Sequence, residues 1–108
     1  MEFRDYQTKA RSTAIFDPRY KYMYPALGLA GEAGEVCEKV KKMFRDDDGE
    51  VTPAKLEEIK KELGDVLWYI ANLAADFGIN LDEVAMLNLD KLFSRQKRGT
   101  LKGSGDNR

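Results

Sequence analysis

The chain has 108 residues, 43% hydrophobic and 34% charged, with 18 Lys and Arg against 19 Asp and Glu for a net charge of −1. That length fits one domain with a modest core, and the charge balance lacks the basic excess of a dedicated nucleic-acid binder. One cysteine, Cys37, excludes an intrachain disulfide, and the absence of histidine removes the commonest general base and metal ligand.

The first predicted helix runs from about Phe3 to Ile15, carried by Phe3, Tyr6, Ala10 and Ala14 at helical spacing. Asp17-Pro18 ends it. Its charged start, MEFRDYQTK, has no apolar signal-peptide region, and no apolar run approaches a bilayer span, so a cytoplasmic location is expected. A tyrosine-rich connection follows from Arg19 to Tyr24, in which Tyr20, Lys21 and Tyr24 are either a lid or ordinary packing aromatics. The second helix is expected over about Pro25 to Phe44, with Leu29, Ala33, Val36, Val40 and Phe44 as its apolar stripe. Arg45-Asp46-Asp47-Asp48-Gly49 reads as a loop.

Thr52 is expected to cap the third helix and Pro53 to open it. Leu56, Ile59, Leu63, Val66, Leu67, Ile70, Leu73, Ala74 and Phe77 sustain its apolar stripe as far as Gly78, a C-cap glycine. The fourth helix should start near Asn80, with Glu83 in a capping-box arrangement. Leu81, Val84, Ala85, Leu89 and Leu92 would face the core. It fades near Gly99, leaving a Gly-rich polar tail that is flexible or orders on a ligand. These elements divide the chain into a helical domain, 1–98, and a tail, 99–108. The expected fold is all-α, an antiparallel four-helix bundle completed by oligomerisation.

Glu32 and Glu35 stand three residues apart on the second helix, and Glu62 and Asp65 three apart on the third. Each pair lies on one side of its helix, where like charges repel unless something neutralises them. Oxygen donors from two facing helices suit Mg²⁺. Asp65, Tyr69, Asn72 and Asp76 join Glu62 in a polar stripe separate from the apolar one. On spacing alone, a solvated acidic face and a metal site both remain open. Glu38 continues the series but turns toward solvent. Trp68 would stack on a base or bury itself between subunits.

The run Gly28 to Val36, GLAGEAGEV, and the run Glu62 to Tyr69, ELGDVLWY, resemble the ExxE and ExxD motifs of the MazG-like, all-α nucleoside triphosphate pyrophosphohydrolases. Asn88, Lys91 and Arg95 match the family's later NxxKxxxR pattern. The resemblance implies a magnesium-dependent hydrolase that releases NMP and pyrophosphate from NTPs or dNTPs, in nucleotide-pool house-cleaning. It implies Glu32, Glu35, Glu62 and Asp65 as catalytic metal ligands for Mg²⁺, with Mn²⁺ as a substitute. Lys91 and Arg95 would hold the β- and γ-phosphates, and Asn88, Tyr69 and Asn72 would join them in binding the nucleotide. A homodimer or homotetramer is expected, with no nucleic acid or membrane partner. Read from their residue types alone, Lys91 and Arg95 are better taken as surface cations favoured by the helix dipole. Asn88 is either a clamp or a ligand donor. The competing reading is a non-catalytic dimerisation or regulatory module whose acidic face binds a partner. A di-iron carboxylate bundle is excluded, because its motifs need histidine.

Overall fold

Side chains decide where the helices start and stop. The computed structural model describes all 108 residues: α1 (Phe3–Arg11), a short 3-10 turn (Pro18–Tyr20), α2 (Met23–Asp47), α3 (Pro53–Asp76) and α4 (Leu81–Arg98), with no strand. α1 stops at Arg11 rather than near Ile15. The Ser12 and Thr13 hydroxyls donate back to the carbonyls of Lys9 and Ala10 at 2.6 and 2.7 Å, a local alternative to the helix ladder. α2 begins at Met23 rather than Pro25, after a turn centred on Tyr22 with φ 67° and ψ −49°. The Met23 N–H donates to Lys21 O at 2.7 Å across that residue. This is a γ-turn of the strained, positive-φ kind. At its other end α2 runs on to Asp47, through much of the expected loop, and ends on Asp48 and Gly49, both at positive φ.

Thr52 caps α3 as expected, its hydroxyl accepting from the Lys55 N–H at 3.1 Å. Gly78 and Gly99 follow α3 and α4 with φ of 70° and 71°. The capping box expected at α4 does not form. Asn80 Nδ2 only approaches Glu83 Oε1 at 3.4 Å, and no side chain caps the backbone from the Asn80 position. Gln7 does that work from α1. Its Oε1 accepts from the Leu81 N–H at 3.0 Å, while its Nε2 donates to Ala71 O and Ile79 O at 3.1 and 3.0 Å. One buried amide thereby ties α1 to the end of α3 and the start of α4.

α2 and α3 form a long antiparallel hairpin. Its register is read from Tyr22 beside Asp76, Gly28 beside Tyr69, and Lys39 beside Glu58. The small core lies at the α3–α4 end, where Ala10, Ala71 and Leu81 are buried among Tyr6, Leu67, Trp68 and Ile70. α4 packs on α1 and α3 but not along α2. Val84, Leu89 and Leu92, expected to face the core, are therefore exposed, and only Leu81 of that stripe is fully buried. Leu27, Phe44, Leu63, Leu87 and Phe93 are each more than half exposed. The radius of gyration is 16.7 Å, against about 13 Å for a compact chain of this length. No helix is long and apolar enough to cross a membrane.

Candidate metal and nucleotide site

The hairpin register places the two acidic motifs opposite each other. Glu32 of α2 and Glu62 and Asp65 of α3 each bring a carboxylate oxygen within 4.8 Å of the others. Glu35, one turn along α2, stays outside this trio but adds its charge to the field at Glu32. Partial burial, then the charges of Asp65, Glu62 and Glu35, push the Glu32 carboxyl above the ordinary glutamate range. None of the four carboxylates takes part in an ion pair. Four lysines of the hairpin pair with other carboxylates: Lys41 with Glu38, Lys60 with Glu57, and Lys39 and Lys55 with Glu58. An all-oxygen donor set without a cation of the chain's own is the chemistry a hard divalent ion requires.

A wall of aromatic rings stands next to the carboxylates. Glu32, Asp65, Trp68 and Tyr69 line an open pocket of about 270 Å³. A neighbouring cavity of about 410 Å³ is bounded by Tyr20, Met23, Tyr24, Leu27, Gly28 and Tyr69. Trp68 meets Tyr69 edge-on with centroids 5.0 Å apart, Tyr69 lies 6.3 Å from Tyr24, and Tyr24 stacks on Phe16 at 4.7 Å. Gly28 makes this possible, since a β-carbon there would collide with the Tyr69 ring. Desolvation, then the neighbouring Tyr24 hydroxyl, raises the Tyr69 hydroxyl above its usual pKa, with Glu32 and Asp65 adding to the effect. Tyr24 and Gly28 were not among the expected substrate residues. The signal was a glycine one turn before Glu32, legible only once α3 is laid across it.

The description "MazG nucleotide pyrophosphohydrolase domain" matches residues 24–100. That span takes in both acidic motifs and the whole of α4. The chain is also 46% identical over 109 residues to the Gene 37 protein of Mycobacterium phage L5, covering 95% of this chain and 96% of that one. No solved structure matches. The chain belongs to the MazG nucleotide pyrophosphohydrolase family.

The other residues expected of a MazG site are placed less uniformly. Asn72, expected among the nucleotide-binding residues, lies in the interior of the fold. It is fully buried, its Nδ2 donates to Trp68 O at 3.0 Å, and its Oδ1 and backbone O both receive Arg11 Nη1 at 3.4 Å. Asp76, the next member of the polar stripe, accepts from the Tyr22 N–H at 2.9 Å and pairs with Arg11 at 2.7 Å. Trp68 is used within the chain, donating its Nε1–H to Thr13 Oγ1 at 2.8 Å.

On α4, Asn88 is exposed. Lys91 and Arg95 make no bond to the carboxylate cluster. Both hold the tail instead. Arg95 is only 4% exposed, which removes it from the class of surface cations.

Proposed function

We propose that this MazG-family chain hydrolyses nucleoside triphosphates, NTP or dNTP, to the monophosphate and pyrophosphate, serving as a nucleotide-pool house-cleaning enzyme of the cytoplasm. The observation that carries this reading is the convergence of Glu32, Glu62 and Asp65 within 4.8 Å, with no cation of the chain paired to them. Repulsion among these groups opposes folding, and a bound divalent ion relieves it. Glu32, Glu62 and Asp65 would hold Mg²⁺, or Mn²⁺ in its place, and Glu35 would join them from one turn along α2. When bound, the metal supplies Lewis acidity toward phosphate oxygens and activates water at neutral pH, which answers the lack of histidine. Tyr69, Tyr24 and Trp68 offer faces on which a base could stack.

Lys91 and Arg95 would hold the β- and γ-phosphates through charge-assisted bonds, with Asn88 beside them. Because α4 does not lie along α2, these groups would reach the carboxylates of a second copy. A homodimer or homotetramer would also cover Leu63, Leu87 and Phe93, large apolar side chains the single chain leaves open.

The test is a panel of NTPs and dNTPs with Mg²⁺, scored for pyrophosphate against orthophosphate and repeated with chelator. Pyrophosphate release that chelation abolishes is expected, with activity returning on Mn²⁺. Orthophosphate as the primary product overturns the reading. No turnover on any nucleotide favours a non-catalytic module that uses its acidic face for a partner.

A further inference from the structure

The tail beyond Gly99 folds back onto α4. Gly103 and Gly105 take φ of 129° and 85°, angles that other residues rarely adopt, and reverse the chain. Arg108 closes the loop from inside. Its guanidinium donates to the carbonyls of Thr100, Leu101 and Gly105 at 3.1, 2.8 and 2.7 Å. Arg98 donates to Arg108 O at 2.7 Å.

This loop delivers Asp106 to the cationic pair. Lys91 Nζ stands 3.1 Å from Asp106 Oδ1. Arg95 Nη2 donates to Asp106 O at 2.7 Å and lies 3.5 Å from Oδ1. Arg95 is buried beneath the loop, yet its Nε–H has no partner, and neither has the Thr100 hydroxyl. A single carboxylate therefore leaves donors of this site unsatisfied, and an anion with more oxygens would use them. The Asp106 carboxylate is itself 84% exposed, and pairs of that kind contribute little. Lys91, then Arg95, hold the Asp106 carboxyl below the usual aspartate range, in keeping with the contact.

We propose that the tail is an intrasteric cap: Asp106 occupies the Lys91–Arg95 pair as a stand-in for phosphate, and a polyphosphate binds by displacing it. This rests on the reading of that pair as the phosphate site, and it adds that the site is closed by the chain itself when no nucleotide is present.

Inorganic tripolyphosphate in metal-free buffer tests the cap without involving catalysis or the carboxylate trio. Titration into the full chain should loosen the Gly103 and Gly105 amides, read by NMR. Asp106→Asn should bind tripolyphosphate about two- to fivefold more tightly, the effect of removing one exposed competing charge. The same affinity in both proteins, with the tail amides undisturbed, overturns the cap while leaving the phosphate site standing. Weaker binding by Asp106→Asn also overturns it, because the tail would then be a part of the anion site. No binding by either protein, with Lys91→Ala indistinguishable from both, overturns the phosphate assignment itself and the cap with it.

Discussion

Glu62 and Asp76 lie on one polar stripe of α3, and their surroundings are opposite. At the end of the helix, Asn72 and Asp76 are buried and partnered, with Arg11 against both and the Tyr22 N–H on Asp76. Nearer the middle, Glu62 and Asp65 face Glu32, and none of the three is in an ion pair. The compensated half holds the chain together, fixing α1 and the γ-turn that opens α2. The uncompensated half opposes folding of the apo chain through like-charge repulsion, and the proposed divalent ion would relieve it. Charge left unpaired where helices meet is thus the sharper functional signal, more so than the presence of acidic residues.

Substitutions that change charge while keeping shape should break this comparison in two directions. Asp65→Asn should lower kcat/KM by about 10²- to 10³-fold or more, the scale of several kcal/mol of lost Lewis-acid stabilisation. Its melting temperature without metal should hold or rise slightly, since a like-charge interaction of about 0.2–0.5 kcal/mol is removed. Near-native turnover in the purified variant would take Asp65 out of the site.

Asp76→Ala should do the reverse in kind. It leaves the Tyr22 N–H and Arg11 without their buried acceptor, and urea unfolding should show a loss of about 2–3 kcal/mol. A variant as stable as the parent would remove the clamp from the account of how α2 is positioned.

The smallest effect lies with Asp106, which is paired like Asp76 but exposed like Asp65. Its carboxyl is held below the usual range by Lys91 and Arg95. The sign follows from linkage: the contribution is present above the unfolded value, about 3.9, and is lost as pH falls through the lowered folded one. Tail amides followed by NMR should stay docked as pH falls through the ordinary aspartate range and release only below it. Release at or above that range would show that the carboxylate is not what holds the tail.

Much of this was readable along the chain because its signals are local. Thr52-Pro53 announced the start of α3, and Gly78 and Gly99 announced helix ends. The ExxE and ExxD spacings placed four acidic residues on two helices, and the antiparallel hairpin brought three of them together. What escaped reading depends on partners far away in sequence. Periodicity put Asn72 on the same stripe as Asp65 but could not show that α1 covers only one end of it. Gln7 replaced the capping box at α4 through bonds to residues more than sixty positions away, which leave no trace in the local pattern. Arg95 looked like a surface cation because nothing in α4 itself buries it. Its cover comes from a tail whose glycines read as flexibility or as ordering on a ligand, and not as a fold back onto α4.

Trp68 is the chain's single tryptophan. It touches both halves of the comparison: it lines the pocket with Glu32 and Asp65, and its indole N–H is bonded to Thr13 just beyond α1. The protein therefore carries its own optical probe, with no label to add and no second indole to subtract. Emission intensity would register ions or nucleotides arriving beside the ring, and a shift of its maximum would register loosening of the contact with α1. Two events that enzymology would otherwise have to separate by mutation are thus written on two properties of one chromophore.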